Sequence, residues 1–379
     1  MHQTGSLKLN KRFGISSLIT ASMLSLALLA PSASAQSAKR DIDHATFHGV
    51  NAGAPIWETN IRLNKQKIEE IASSGTRAIR VNFRLDHGYE QWDEELLKQY
   101  DYIINTARAA DLQILGLMCN EATSGGQKGW NDTSKGAKNK YVQDFAKNAA
   151  LLANRYKDSI NTWEIWNEPG AWNNPNYVND PQNAGITYIL PEVYAHMLVE
   201  TNLALRNSRN GNLIEKYDIK LVTGGLFAHD IAGNFSTGSP YIQDVYNQKK
   251  TFKAFQAKTG KKYPWDIFGY HFYISQGTKL DPAYLNRYFD DIIKTVRANG
   301  DKSNMLITEF GWPTISLDEE GQAENLAITY DVMESRDDVA GSYWYQWLDE
   351  PEERRGLIYD NVKNPKKAYI EFQKRCNQK

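Results

Sequence analysis

The chain has 379 residues, with 44 Lys and Arg against 45 Asp and Glu, a formal net charge of −1. A balance this close to neutral gives no reason to expect nucleic acid or a strongly charged membrane surface as partner. Cys119 and Cys376 lie far apart and match neither a disulfide framework nor a zinc-ligand spacing, although a long-range bridge between them stays open in an oxidising compartment.

In chain order, Lys8, Lys11 and Arg12 precede an apolar run from Phe13 to Ala30, and Pro31-Ser32-Ala33-Ser34-Ala35 supplies small residues where a signal peptidase cuts. The pattern predicts a secretory signal over residues 1–35 and a mature chain, secreted or periplasmic, beginning at Gln36. Ser and Gly interrupt the apolar run and no second such span follows, so a membrane anchor is disfavoured. The remaining stretch, 36–379, is not divided by a Pro/Ser-rich linker or a repeat and reads as one domain, expected as a monomer.

From Ala45 onward, short β-type runs alternate with amphipathic helical patterns. The predicted strands are Thr46 to Asn51, Ala78 to Asn82, Gln113 to Met118, Thr162 to Trp166, Lys220 to Thr223, Ile267 to Tyr273, Met305 to Glu309 and Gly341 to Trp347. The helical patterns between them cover Lys65 to Ser73, Glu94 to Ala110, Tyr141 to Tyr156, Pro191 to Arg206, Tyr284 to Ala298 and Glu319 to Glu334. A Lys-rich run from Lys249 to Lys262 has the spacing of a solvated helix face. Such alternation suits either a closed α/β (β/α)₈ TIM barrel or an open doubly wound sheet. The lack of a phosphate-binding Gly loop after the first strand favours the barrel.

In a barrel, alternate residues of each strand face the interior. Taking Glu309 as inward sends Ile307 inward and Leu306, Thr308 and Phe310 outward; the same choice elsewhere turns Arg80, Asn82, His271, Tyr273, Trp344 and Gln346 inward. Polar groups thus gather near strand C-terminal ends, where barrel enzymes keep their chemistry. Glu164, Trp166 and Glu168 in "TWEIWNEPG" share one parity. Glu164 would sit deeper, paired with Arg80 or His271, because an unpartnered buried carboxylate costs several kcal/mol. Glu168 would reach the mouth as a carboxyl of raised pKa. Glu309 in "MLITEFGWP" ends another strand. Two carboxyls facing across the mouth are the requirement of glycoside hydrolysis, at about 5–5.5 Å for a retaining mechanism and wider for an inverting one.

Through "FHGVNAG", "IRVNF", "WEIWNEP", "GYHFY", "ITEFGWPT" and "YWYQW", nearly the whole mature chain resembles the clan of retaining glycosidases with (β/α)₈ barrels and glutamates at the ends of strands four and seven, cellulase-like and of the family 5 or family 39 type. The resemblance implies Glu168 as acid/base, Glu309 as nucleophile and Asn167 as the partner of the sugar 2-hydroxyl. It further implies Arg80 as the cation holding the nucleophile ionised, Tyr273 as the phenol bonded to it, and His271 as a partner near the acid/base. Trp344 is implied as the aromatic floor under the sugar, with Trp347 its competitor. The chain departs from clan families that carry histidine at the end of strand three, having Cys119, Asn120 and Glu121 instead.

Loops from Cys119 to Lys140, with Trp130, and from Pro169 to Leu190, with Trp172, Tyr177 and Tyr188, are expected to wall a saccharide groove, because flat aromatics stack on pyranose faces. Asp349 and Glu350 read as surface charges that a mouth loop could turn to a sugar hydroxyl. The expected substrate is a β-linked polysaccharide or oligosaccharide cut internally, with glucan, xylan, mannan and exopolysaccharide all open. The chemistry requires no cofactor, and the few histidines, with no H-x-H after strand one, predict no metal. A barrel that binds sugar without cleaving it, an exo-acting enzyme and a transglycosylase are the competing readings.

Overall fold

The computed structural model describes residues 42–85, 89–170, 180–233 and 235–378. The expected signal over 1–35 and the loop aromatics Trp172 and Tyr177 lie outside the described residues. Among the described residues nine strands form a single parallel sheet. They are β1 (His48–Asn51), β2 (Ala78–Asn82), β3 (Gln113–Met118), β4 (Thr162–Ile165), β5 (Lys220–Thr223), β6 (Leu226–His229), β7 (Phe268–Tyr273), β8 (Met305–Phe310) and β9 (Val339–Trp344). β5 and β6 are two halves of one barrel position, interrupted at Gly224-Gly225; β5 pairs with β4 and β6 with β7. A parallel bridge from Val222 to Ile267 closes the ring. β7, β8 and β9 therefore stand sixth, seventh and eighth, and the fold is the expected (β/α)₈ barrel.

Helices wrap the outside. In chain order they are α1 (His44–Phe47), α2 (Lys65–Ser73), α3 (Glu94–Ala109), α4 (Gln127–Trp130), α5 (Lys140–Arg155), α6 (Pro191–Arg206), α7 (Leu213–Lys216), α8 (Ser239–Tyr246), α9 (Lys249–Thr259), α10 (Pro282–Ala298), α11 (Glu319–Glu334) and α12 (Lys367–Cys376). Their starts follow from capping chemistry. Asn64, Asp93, Asn139, Asp281 and Asp318 each accept a hydrogen bond from a first-turn amide, satisfying donors that have no partner within the helix. α9 accounts for most of the Lys-rich run, with Phe252 and Phe255 turned inward. The first predicted strand loses its start to α1, where Asp43 caps Ala45. Among the described residues no helix is long and apolar enough to cross a membrane.

Ala78, Leu115, Val222, Leu306 and Tyr343 form an apolar cluster separate from the main core, one residue each from β2, β3, β5, β8 and β9. They plug the barrel interior on the side away from the strand C-terminal ends. The plug needs a glycine beside it: a Cβ on Gly49 would lie 2.5 Å from the Tyr343 ring. Strict alternation sends Leu306 outward and, with Trp344 inward, Tyr343 outward as well, yet both belong to this interior set. β9 keeps its alternation in the opposite phase, Tyr343 inward and Trp344 outward, whereas Leu306 is displaced by a register shift in β8 between Ile307 and Glu309, where Tyr270 and His271 of β7 are adjacent partners. An extra residue in one strand inverts the alternation across it.

Candidate active site

The irregularity in β8 is what assembles the polar end of the barrel. Thr308 Oγ1 donates to Glu164 Oε1 at 2.8 Å and lies 2.9 Å from His271 Nε2, while the next residue, Glu309, accepts from Tyr273 Oη at 2.9 Å and from Arg80. Two consecutive side chains thus face inward. Strict alternation places Thr308 outward, and the register shift turns it in.

A second departure from alternation follows β4. Trp166 has φ +80° and Glu168 φ +43°, a left-handed conformation that non-glycine residues seldom adopt and that active sites often hold. The turn sends Trp166 out of the barrel, where it is fully buried against Trp130, Tyr141 and Phe145, its Nε1 donating to the Thr187 carbonyl. Asn167 and Glu168 are left facing the barrel axis.

Arg80, almost entirely buried, organises the centre. Its Nε donates to Glu164 Oε2 at 2.6 Å, Nη1 to Asn51 Oδ1 at 3.0 Å and to Glu309 Oε1, and Nη2 to Asn167 Oδ1 at 2.9 Å. A planar fork can serve four acceptors at fixed angles, which an ammonium cannot. Glu164 is fully buried, and also accepts from the Gly225 amide at 3.0 Å. Of its two predicted partners Arg80 is the direct one; His271 Nε2 stands 3.9 Å away. Gly225 has to be glycine for this packing, since a Cβ there would lie 2.1 Å from the His271 ring.

His271 Nδ1 lies 3.0 Å from Glu168 Oε1. Donor counting orders the chain of contacts. The single hydroxyl proton of Thr308 goes to Glu164, so Nε2–H of His271 donates to Thr308. Nδ1 is left facing the Glu168 carboxyl, placed to accept from it when the carboxyl carries its proton. Electrostatics agrees with that assignment. Burial raises the Glu168 carboxyl above the ordinary range against the opposing pull of His271. For Glu309 burial also pulls upward, but the neighbouring His271, the Arg80 cation and the Tyr273 hydroxyl outweigh it and leave the group below the ordinary range. Tyr273 itself is pushed well above its usual value by burial and then by Glu309, which keeps it a donor. Carboxylate oxygens of Glu168 and Glu309 approach within 4.8 Å of each other and of His271. A proton-bearing carboxyl and an ionised one at this spacing fit a double displacement at an acetal carbon; inverting enzymes set theirs farther apart to admit water.

A cleft of about 510 Å³ opens beside Glu309. Its walls include Asn51, Trp57, Arg84, Asn120, Glu121, Asn167, Thr187, Tyr345, Gln346 and Glu350. Trp344 does not reach it: the residue is fully buried, packed on Phe310 and Trp312, with Nε1 donating to the Arg355 carbonyl. Tyr345, one residue later, lines the cleft in its place, because the chain alternates with Tyr343 facing the interior and Trp344 the helix side. Trp347 is buried as well. The loop aromatics are likewise corrected. Trp130 and Tyr188 are both buried, and the Trp130 Nε1 bond to the Tyr188 carbonyl at 2.8 Å ties the two loops together. Asp349 is held by Lys366 and the Gly356 amide, whereas Glu350 stands exposed at the cleft rim. Cys119 and Cys376 are separate buried thiols.

Sequence reasoning missed Asn51, Thr308, Tyr345 and Trp57. Alternation applied to β1 would have found Asn51; Thr308 depends on the register shift in β8, Tyr345 on the phase of the strand before it, and Trp57 on a two-residue strand, Ile56–Trp57, paired antiparallel with Asn60–Ile61, too short to show a period.

A barrel with a paired carboxyl centre at its C-terminal mouth defines a class of glycoside-cleaving protein, and comparison with known proteins gives the family. Residues 37–350 match the family model Cellulase (glycosyl hydrolase family 5), and the chain belongs to that family of glycoside hydrolases. No curated protein sequence matches it. Among solved structures, it is similar to a broad-specificity endoglucanase from Clostridium longisporum (15% identity, TM-score 0.62), covering 88% of this chain and 96% of that one. A family 1 β-glucosidase from Thermotoga maritima aligns at 14% identity and TM-score 0.58 over 90% of this chain and 100% of that one. A family 39 glycoside hydrolase from Bacteroides cellulosilyticus aligns at 17% identity and TM-score 0.55 over 89% of this chain and 65% of that chain's length. At these identities the likeness is one of fold.

Proposed function

We propose that the protein is a secreted, retaining β-glycosidase that cuts a polysaccharide internally, with Glu309 as nucleophile and Glu168 as acid/base. The observation that carries the reading is the approach of the two carboxyls to within 4.8 Å with protonation tendencies pushed in opposite directions. Glu309 attacks the anomeric carbon as Glu168 protonates the departing oxygen. The proton on Glu168 leaves with the aglycone, and the resulting carboxylate then takes a proton from the water that releases the sugar from Glu309. Arg80 and Tyr273 keep the nucleophile ionised. Asn167, fixed by Arg80 Nη2, offers its amide to the sugar 2-hydroxyl. Tyr345 takes the stacking role under the ring.

The remaining cleft groups support an uncharged glycan. Arg84 is paired with Glu121 at 3.1 Å and Arg80 with Glu164 and Glu309, so neither arginine is free to attract a uronate, while Glu350 adds negative charge at the rim. Trp57, 39% exposed on the same wall, offers an apolar face to a further sugar ring, which favours a chain substrate over a single terminal residue. The signal-like segment at residues 1–35 supports export.

Digestion of β-glucan, xylan and mannan with product sizing tests the reading. Early appearance of mid-length oligosaccharides is expected from at least one neutral polymer. Release of monosaccharide alone would reject internal cleavage, and preference for a polyuronate would reject the substrate class.

A further inference from the structure

Arg355 follows β9 and does not line the cleft, yet it is bound more tightly than a surface arginine needs to be. Its side chain is 13% exposed. The guanidinium carbon lies 4.9 Å from the centroid of the Tyr273 ring. Nη1 donates to the Gly311 carbonyl at 2.9 Å and to Gln276 Oε1, Nε pairs with Glu353 at 2.7 Å, and the Arg355 carbonyl accepts from Trp344 Nε1 at 3.0 Å. These bonds tie the segment after β9 to the residues that follow β7 and β8. The groups whose charge acts on Tyr273 are Glu309, Arg355, Tyr345 and Glu168, and Phe227 stacks on its ring at 5.5 Å.

We propose that Arg355 is a positioning residue for the attacking carboxylate, acting through Tyr273. The inference rests on the reading of Glu309 as nucleophile. Two effects follow from the geometry. A guanidinium over the ring fixes the phenol in the orientation that reaches Glu309 Oε2 at 2.9 Å. The nearby cation also draws electron density from the ring, so the hydroxyl is a stronger donor to an ionised acceptor. Both favour the charged form of Glu309. Glu353 balances part of the charge, but it lies on the solvent side and is 50% exposed, so its effect is screened. An ammonium in its place would keep the charge near the ring but could not cover the ring while donating to both Gly311 and Gln276, so it would serve only part of the role.

The test is a double-mutant cycle in the full chain, using whichever of the 4-nitrophenyl β-glucoside, β-cellobioside, β-xyloside or β-mannoside is turned over. Arg355→Gln is expected to lower kcat by about 3- to 30-fold with KM changed less than about twofold, and to move the acid limb of kcat/KM upward. Arg355→Lys is expected to return that limb toward the original value while leaving kcat reduced. Adding Arg355→Gln to Tyr273→Phe is expected to cost little more than Tyr273→Phe alone. Thermal melts identify loss of folding. Additive effects of the two substitutions, an unmoved acid limb, or a lysine variant no better than glutamine would each overturn the proposal while leaving the parent reading intact. A wild type inactive on polymers and on every aryl glycoside would overturn both.

Discussion

Thr308 and Glu309 are adjacent in sequence, and their side chains serve opposite ends of the same network: Thr308 Oγ1 bonds Glu164 and His271, and Glu309 bonds Arg80 and Tyr273. Replacing Thr308 by valine keeps the shape and removes the hydroxyl. His271 Nε2 then faces no acceptor and Glu164 loses a donor, so a destabilisation of about 1–3 kcal/mol is expected in urea unfolding. The alkaline limb of the pH–rate profile should shift as well, because His271 is the contact that orders Glu168. An unchanged midpoint together with an unchanged profile would show that the network does not depend on this hydroxyl.

Arg80→Met tests the cation at the centre. Two buried carboxylates would lose their common counter-charge, at a cost of about 3–5 kcal/mol. Without the cation the Glu309 carboxylate is harder to ionise, so the acid limb of kcat/KM should move to higher pH. Limbs that stay in place would remove Arg80 from any role in setting the charge of Glu309.

The two glutamates predict stability effects of opposite sign. Glu309 is held below its unfolded value, so the stability it contributes is present above about pH 4.3 and is lost as pH falls through its lowered folded value. Glu168 is held above its unfolded value, so ionising it costs stability once the pH exceeds about 4.3, a cost that levels off above its raised folded value. Glu168→Gln should therefore stabilise the fold at pH 7 by about 0.5–2 kcal/mol while sharply reducing turnover, and the gain should vanish near pH 4. Melting temperatures of both proteins across that range check it; a gain that persists under acid would contradict the assignment.

Much of this architecture is legible from the chain alone, and the exceptions have a common cause. β2, β3, β5, α2, α6 and α11 fall on the residues expected of them, since hydrophobic period, caps and Gly or Pro boundaries all act locally. The segments carrying Glu168 and Glu309 stand out because a polar residue follows a β-type run and precedes Pro169 or Gly311. What alternation misplaced was Thr308, Leu306, Ile307, Tyr343, Trp166 and Trp344. Each lies beside a register shift or a left-handed residue. Those features are stabilised by contacts across the barrel, such as the fit of His271 against Gly225, and no neighbouring residue in sequence signals them.

Tyr345 and Trp344 separate binding from folding. Tyr345→Ala should raise KM by up to about 10-fold through loss of ring stacking, with little change in melting temperature. Trp344→Ala empties a fully buried site and should cost about 3–5 kcal/mol of stability. Unfolding curves and Michaelis profiles on one substrate check both. A reversed pattern would return the stacking role to Trp344.

The most direct measurement is to trap the glycosyl-enzyme with a 2-deoxy-2-fluoro glycoside bearing a good leaving group, and to locate the adduct by peptide mass spectrometry. The fluorine slows both steps, and the activated leaving group lets the first outrun the second. One sugar attached to Glu309, in the peptide containing Thr308-Glu309-Phe310, is the predicted result. A label on Glu168, or release of product with inverted anomeric configuration and no adduct, would contradict it.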